Sequence, residues 1–333
     1  MITSVIIVNY KSVQLLVDCI HSIQKFPTEN LEIIVVDNGS NDNCEQILSS
    51  QFPDIKFIQI GYNAGFARAN NAGIRVSKGA HILLLNSDTI ILDDAINKCS
   101  NKFGTSDAIA CGVQLLNADG TPQISGNYAM KGGLNYLLPI PYFGGMLKSI
   151  STLLKVKKPN VPEAKGTVWV DWINGAFLMV KKNVLEKSGL LDEDFFLYAE
   201  EAEWCSRLKK QGKVCVFGDF NVLHLQGVTA NVAFESSGQG YFNLFDKKGF
   251  QIILSNFVRI RKEFGVFWLL TMIFLYFISI PIFFIGLLGN KYLFFKKTNI
   301  GFKTWWGFVK NVFKLFGYLP RIILNRPYFY KVL

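Results

Sequence analysis

The sequence predicts an α/β protein built on a doubly wound, mostly parallel sheet. Three observations carry that expectation. Continuous apolar runs of strand length recur at Val5-Ile6-Ile7-Val8, Leu31 to Val36 and Ile82-Leu83-Leu84-Leu85. Unbroken runs of this kind suit strands covered on both faces. Stretches of helical period lie between them, and polar turns rich in Asn, Asp, Ser and Gly follow them, where open parallel sheets bind ligands.

Taken in order, residues 4–9 form the first strand. Ser12 to Lys25 places Val13, Leu16, Val17, Ile20 and Ile23 at helical spacing. Leu31 to Val36 is the second strand and ends in Asp37-Asn38-Gly39-Ser40. A helix over Cys44 to Ser50, a strand over Ile55 to Ile60, and a loop turning into a helix over Asn63 to Arg75 come next. The central stretch AHILLLNSDTIIL, Ala80 to Leu92, is a buried strand broken by Asn86-Ser87-Asp88. A helix from Asp94 and a strand over Ala108 to Leu116 follow, then the turn Asn117-Ala118-Asp119-Gly120. Residues 121–167 are apolar and rich in Gly and Pro without a clean period, as in a lid or an excursion facing an acceptor. Val168 to Lys181 returns to strand character with a break at Asn174-Gly175. Leu191 to Gly212 ends in a helix closed by Lys209, Lys210 and Gly212. Val214 to Phe217 is a short strand, and His224 lies just beyond Val222-Leu223.

Composition narrows the class. The chain has 333 residues, 50% of them hydrophobic, and a formal net charge of +10. No spacing among Cys19, Cys44, Cys99, Cys111, Cys205 and Cys215 forms a disulfide framework or a zinc site, which fits a reducing compartment. Val5 to Val8 lacks the preceding positive region of a signal peptide and is too short for one. Neither GxGxxG nor GxxxxGK[ST] is present, which argues against a dinucleotide fingerprint and a P-loop.

Several side chains are candidates for chemistry. Asn86-Ser87-Asp88, just past a strand, can hold a divalent cation through oxygen ligands with substrate phosphate completing the shell. A plain turn in which Ser87 and Asp88 bond backbone is the alternative. Asp37 follows a strand in the same way, with capping of its own turn as the alternative. Glu200 and Glu201 begin a helix beside Phe195, Phe196 and Tyr198, where desolvation can raise a carboxyl pKa toward that of a base. Gly175-Ala176 allows backbone to approach a ligand closely. Glu203 and Arg207, four apart, read as a solvated helix pair. His21 and His81 read as structural.

The ordered motifs VNYKS (8–12), VDNGSNDN (36–43), NAGFARANNAGI (63–74), LLLNSDT (83–89), WINGAFLMVKK (172–182), DEDFFLYAEEAEWCSRLKKQG (192–212) and HLQGVT (224–229) together resemble the family-2 glycosyltransferases. The rhamnosyltransferase-like branch, which builds bacterial surface polysaccharides, is the most similar, over roughly residues 1 to 235. The resemblance implies a GT-A fold, a nucleotide-sugar donor, a divalent ion (Mn2+ or Mg2+) and inversion at the anomeric carbon. It assigns Asp37 to the donor's base or ribose and sets Asn63, Gly65 and Asn71 beside the nucleotide. Asp88 matches the last acid of the DxD motif, whose first position is Asn86 here. His224 matches the histidine that joins the metal shell. Glu201 matches the catalytic base, with Glu200 as neighbour and rival because Asp is usual at the base position.

The C-terminal hundred residues have another character. Phe264 to Asn290 carries no charge over more than the span of a bilayer, and Pro281 is expected to kink it. Arg259, Arg261 and Lys262 precede it; Lys291, Lys296 and Lys297 follow, and no Asp or Glu occurs after Glu263. Positive charge on both flanks disfavours a single span. A hairpin bent near Pro281 or a helix lying in the interface satisfies it. Phe302 to Leu324 interleaves aromatics with lysines as an interfacial amphipathic helix does. The expected organisation is a catalytic domain over 1–240 and a membrane-associated region over 241–333, comprising the hydrophobic segment 264–290 and the basic aromatic tail 291–333.

The leading expectation is an inverting glycosyltransferase. It moves a sugar, rhamnose from dTDP-rhamnose in the closest branch, onto a lipid-linked glycan at the cytoplasmic face of the membrane. A polyprenyl-phosphate glycosyltransferase is the alternative within the class. A nucleotidyltransferase would lack the Glu200/Glu201 motif. An inactive membrane scaffold of the same fold would not require Asp88, Glu201 and His224. Nucleic acid is not an expected partner, since the positive charge sits in the apolar tail.

Overall fold

The computed structural model describes every residue except 157, 226, 228–230, 232, 237–242 and 294–299. Most of the HLQGVT segment beyond Leu225, the flanking Lys296 and Lys297, and the expected boundary at residue 240 therefore lie outside the described residues. The chain divides into two compact units. The first holds Met1–Tyr128, Asn160–Phe196 and Glu200–Val232; the second holds Ala129–Pro159, Leu197–Ala199 and Ala233–Leu333.

The first unit begins β1 (Thr3–Asn9), α1 (Val13–Gln24), β2 (Leu31–Asp37), α2 (Cys44–Gln51), β3 (Lys56–Gln59), α3 (Gly65–Val76) and β4 (His81–Asn86). It continues with β5 (Thr89–Ile91), α4 (Ala95–Thr105), β6 (Ala108–Leu116) and β7 (Gly126–Asn127). After a helix of the second unit, α5 (Phe143–Leu153), the chain returns for β8 (Asn160–Val161), β9 (Thr167–Val170), β10 (Trp172–Ile173) and β11 (Phe177–Lys181). α6 (Leu185–Ser188), α7 (Glu200–Leu208) and β12 (Lys213–His224) complete the unit.

The main sheet runs β3-β2-β1-β4-β11-β6-β12-β5, with β9 also paired to β12. β3, β2, β1 and β4 are mutually parallel, β11 is antiparallel to both β4 and β6, and β12 is parallel to β6. The expected class holds, with antiparallel strands inserted beside the parallel half. The apolar runs divide by strand alternation. Val5, Ile7, Val35, Leu83 and Leu85 pack with Leu16, Ile20, Leu48 and Phe103 on one face. Ile6, Ile34, Val36, Ile82 and Leu84 pack with Ala67, Ile74, Trp204 and Leu208 on the other. Each fully buried Ile or Leu contributes about 1.5–3 kcal/mol, which is why the runs are unbroken: both faces are covered by helices.

Three local expectations need correction. Val214 to Phe217 is not a separate short strand. It is the first half of β12, whose register shifts between Phe217 and Asn221; the polar Asp219 sits in that irregularity and interrupts the apolar pattern. Residues 121–167 are not without structure: they hold β7, a 3-10 turn over Lys131–Leu137, α5 and β8. Glu203 and Arg207 form the expected pair, but not a solvated one. Glu203 is buried, and Arg207 grips it with Nε and Nη2 at 2.7 and 2.8 Å while also donating to the carbonyls of Ser188 and Leu190. Loop carbonyls above α7 need donors, and that demand draws the pair inward.

The second unit is helical. α8 (Lys247–Leu288) is followed, beyond a π turn over Gly289–Leu293, by α9 (Phe302–Leu315) and α10 (Leu319–Ile323). α8 is long and apolar enough to cross a membrane. Its one residue with non-helical dihedrals is Gly265, at φ +87°, a region that glycine enters without the Cβ penalty. Helical dihedrals run through Pro281 to Leu288, so the hairpin bent near Pro281 does not occur. Before Gly265 the helix is buried over residues 248–260. After it, Leu269, Met272, Tyr276, Phe283 and Leu287 are buried at helical spacing, and Phe267, Leu270, Phe274 and Ile285 are exposed. Packing on one side and exposure of apolar side chains on the other distinguish this helix from a core helix.

Candidate functional site

The parallel register lines up the polar ends of three strands. Asn9 of β1 pairs with Asp37 of β2, and Val8 pairs with Asn86 of β4. Asn9 is fully buried, and its amide nitrogen lies 2.9 Å from Asp37 Oδ1, 3.0 Å from Ser40 Oγ and 3.1 Å from Asp42 Oδ2. Asp37 Oδ2 accepts from the Ser40 backbone amide at 3.1 Å. One neutral amide thus holds two carboxylates and a hydroxyl in place. Cys44, beside both acids, is a protonated thiol: burial first, then the charges of Asp37 and Asp42, push it up to about 12. Asp37, Asp42 and Cys44 bring their ligand atoms within 4.8 Å of one another, but the carboxylates are engaged by Asn9 and the thiol is neutral.

The next loop is tied to this edge. Asn38 Oδ1 accepts from Ala64 N at 2.8 Å, and Asn63 Oδ1 accepts from Gly65 N at 3.1 Å and from the Asn38 amide at 3.2 Å. Gly65 adopts φ +79°, and a Cβ there would stand 2.3 Å from the Phe196 carbonyl oxygen. Phe66 N donates to that same carbonyl at 2.8 Å. Asn63 and Gly65 therefore shape a loop beside Asp37. Asn71 does not reach this edge freely. It is buried, accepts from Leu191 N at 3.1 Å, and donates to Leu191 O at 2.9 Å and Glu193 Oε1 at 3.0 Å, so its amide fixes the 191–193 segment.

Asp88 and His224, 136 positions apart, meet because β5 follows Asp88 directly and pairs antiparallel with the end of β12, Thr89 opposite His224. Leu225 N donates to the Asp88 carbonyl at 2.9 Å. His224 Nε2 then lies 3.3 Å from Asp88 Oδ1 and 3.4 Å from the Asn86 amide nitrogen. The other ring nitrogen is set by Gln123. The Gln123 amide nitrogen donates to the carbonyls of His224, at 2.7 Å, and Leu116, at 3.3 Å. Its Oε1 must therefore accept the 3.0 Å bond from His224 Nδ1. The Nε2 lone pair then faces a carboxylate oxygen, an approach that is attractive only with a proton or a cation between them. A nitrogen and a carboxylate oxygen, the nitrogen oriented by a further hydrogen bond, suit a divalent ion such as Mn2+ or Mg2+.

The third element is the start of α7. Tyr198 and Ala199 precede it at φ +72° and +69°, a left-handed pair that costs about 1–3 kcal/mol per residue. Glu200 and Glu201 are both buried. Burial, and then the Glu201 charge, push the Glu200 carboxyl well above the ordinary carboxylate range, and Glu200 Oε2 has no hydrogen-bond partner among the described residues. A Cβ added at Gly175 would sit 3.6 Å from Cβ and Cγ of Glu201. The adjacent Ala176 accepts from Asn86 N at 3.0 Å. Through that loop the Asn86-Ser87-Asp88 turn and the carboxyl pair are linked.

Of the residues singled out from sequence, the structure gathers Asp37, Asn63 and Gly65 at one loop cluster, Asn86, Asp88 and His224 at another, and Gly175 with Glu201 at a third. Asn9 and Gln123 were missed. Asn9 ends its strand directly across from Asp37, a signal visible once β1 and β2 are read as parallel neighbours. Gln123 sits in the Gly/Pro-rich stretch and gives no signal of its own.

Comparison with known proteins agrees with this architecture. Residues 4–158 match the family described as glycosyl transferase family 2. The low-salt glycan biosynthesis hexosyltransferase Agl10 of Haloferax volcanii is 30% identical over 247 residues, covering 72% of each chain. The dTDP-rhamnosyl transferase RfbF of Shigella flexneri is 27% identical over 209 residues, covering 62% of this chain and 63% of its own. Among solved structures, GalNAc-T7 with UDP, GalNAc and Mn2+ superposes with a TM-score of 0.50 at 16% identity, covering 67% of this chain and 44% of that one; at that identity the likeness is one of fold. With a relative this similar across most of its length and a GT-A sheet beneath the site, the chain belongs to glycosyltransferase family 2 and is an enzyme of glycan biosynthesis.

Proposed function

We propose that this enzyme is an inverting, metal-dependent transferase that takes a sugar from a nucleotide-sugar donor and passes it to a lipid-linked glycan. The observation that carries the reading is the link from Asn86 through Ala176 and Gly175 to Glu201. It joins a turn suited to the donor's diphosphate with a buried carboxyl suited to the acceptor's hydroxyl. Asp37, fixed by Asn9, takes the base or ribose, beside the loop of Asn63 and Gly65. Asp88 and His224 would hold the ion, which offsets charge on the departing diphosphate. Glu201 takes the proton of the attacking hydroxyl, an exchange worth about 100- to 10,000-fold in rate. Burial, and then the Glu201 charge, push the Glu200 carboxyl well above the ordinary carboxylate range, which favours Glu201 over Glu200 for this role.

RfbF, a dTDP-rhamnosyl transferase by name, supports dTDP-rhamnose as the first donor to test. The second compact unit serves as the membrane-associated region in this reading. Its support is the exposed row Phe267, Leu270, Phe274 and Ile285 on α8, with Trp306 and Phe313 exposed on α9, and lysines without any acid after Glu263. A helix with one face packed and the other apolar and bare suits the plane of the interface at the cytoplasmic leaflet better than a span.

The test is donor hydrolysis by purified protein across a panel of nucleotide sugars, with and without Mn2+ or Mg2+, beside Asp88→Ala. Metal-dependent release of a nucleoside diphosphate from one donor, lost in the variant, supports the reading. Failure of every donor to bind by calorimetry with metal present overturns it.

A further inference from the structure

The second unit contains a cleft of about 500 Å3 lined by the start of α8, one side of α9 and the beginning of α10. Three lysines border it: Lys247 on α8, and Lys310 and Lys314 one turn apart on α9. Its single acid, Asp246, is already engaged. Asp246 Oδ1 caps α8 by accepting from Gly249 N at 2.9 Å, and Oδ2 accepts from Ser236 Oγ at 2.5 Å and the Asn243 amide at 2.6 Å. Among the described residues, none of the three lysines forms an ion pair with a carboxylate. Two of them rest on aromatic rings. Lys310 Nζ lies 5.8 Å from the centre of the Trp306 ring, and Lys314 Nζ lies 5.8 Å from that of Phe250. All three are exposed, so a ligand entering the cleft can reach them. Three lysines around one cleft outnumber its carboxylate, whose oxygens already face the Gly249, Ser236 and Asn243 donors, and form a receptor for a compact dianion.

We propose that this cleft is a phosphate-binding site, taking a phosphomonoester, phosphodiester or diphosphate group through Lys247, Lys310 and Lys314, with the Tyr318 side chain at its border. The group comes either from a lipid headgroup or from a soluble phosphate. The lipid source alone rests on the membrane reading given above; the site rests on the cleft and its charges. Trp306, exposed on the same line of α9 as Lys310 and Lys314, is placed to meet the apolar part of a lipid beside that headgroup.

The test uses the full chain and two readouts. The first is co-sedimentation with vesicles of phosphatidylcholine alone and with about one-fifth phosphatidylglycerol. The second is calorimetry with inorganic pyrophosphate, run with excess nucleoside diphosphate to occupy the donor site. The cleft variant is Lys310→Gln with Lys314→Gln. Lys247→Gln probes the α8 side, and Lys291→Gln with Lys303→Gln removes equal charge outside the cleft. Each lysine near an anionic surface is worth about fivefold, so removing two costs either variant up to about thirtyfold on anionic vesicles; the cleft variant is expected to lose more than the control there, and to lose pyrophosphate binding that the control retains. Loss confined to vesicles identifies a lipid headgroup; loss confined to pyrophosphate identifies a soluble phosphate; loss of both supports the site with either source. Equal losses in cleft and control variants, or no loss in either readout, overturn the proposal. Neither readout needs sugar transfer, so a failed donor panel and a failed cleft are separate results.

Discussion

His224 presents Nε2 to Asp88 Oδ1 across 3.3 Å while Gln123 holds the opposite ring nitrogen. The carboxylate is one strand junction away from the histidine only because β5 and β12 pair, and the two frame the gap proposed above for the ion. Gln123 fixes which nitrogen is free. Replacing it, as Gln123→Leu, is expected to weaken Mn2+ affinity about 10- to 100-fold, the usual cost of losing such an orienting bond. Turnover of the variant recovers when Mn2+ is raised, whereas Asp88→Ala does not recover. A metal titration of donor hydrolysis separates the two, and equal responses would assign Gln123 a purely structural role.

Glu200 and Glu201 share the start of α7 but are expected to respond differently. Glu201→Gln lowers kcat about 100- to 10,000-fold. Glu200→Gln lowers it less and stabilises the protein. Glu200 has a folded pKa above its unfolded one, so the native state retains a proton that the unfolded state has released. Its contribution to stability is therefore lost as pH rises from the ordinary carboxylate range through the raised folded value. Calorimetric melting at about pH 8 should show Glu200→Gln a few degrees above wild type, an effect of about 1 kcal/mol or more, with the gap closing toward about pH 4. A gap of the same size at both values would mean that charge is not its cause.

Much of this site was legible before any coordinates. The runs at 5–8, 31–36 and 82–85 were unbroken because helices cover both faces of the sheet, and the turns after them carried Asp37 and Asp88. What spacing could not give was pairing across long separations. Thr89 opposite His224 is a property of register, and no local pattern encodes it; only the ordered motifs of the family connected the two. The reading of Glu203 and Arg207 failed for a related reason. Four-residue spacing describes a pair on a helix face, but the carbonyls of Ser188 and Leu190 above that face decided its burial. Pro281 suggested the bend of a hairpin, yet the backbone departs from helix at Gly265, where a positive φ is tolerated.

Asn9 is the hub of the edge proposed to take the nucleotide, and its loss is expected to be felt in binding more than in chemistry. Asn9→Ala leaves Asp37 Oδ1 and the Asp42 carboxylate without their shared donor. Leaving the buried Asp37 oxygen unmet costs about 1–3 kcal/mol. The expected outcome is a KM for the donor raised about tenfold with kcat within about threefold of wild type. Steady-state kinetics over a range of donor concentrations checks it, and a loss confined to kcat would move Asn9 from positioning the nucleotide to acting in the transfer itself.

His81 offers a test of stability away from the chemistry, since it begins β4 and the candidate site lies past its end. The ring is buried, with Nδ1 2.9 Å from Ser100 Oγ. Burial, and next the Lys181 charge, lower its pKa from 6.5 to about 4. A histidine held neutral in the fold contributes stability that is present above its unfolded pKa and is lost as pH falls from about 6.5 toward about 4. Over the whole window the loss is on the order of 3 kcal/mol. His81→Gln keeps a polar group for Ser100 and removes the titration. Its urea midpoint is therefore expected to lie below that of wild type at about pH 7.5 and to approach it at about pH 4.5, with donor turnover at neutral pH unchanged. Parallel curves across that range would show that the acid sensitivity comes from other groups.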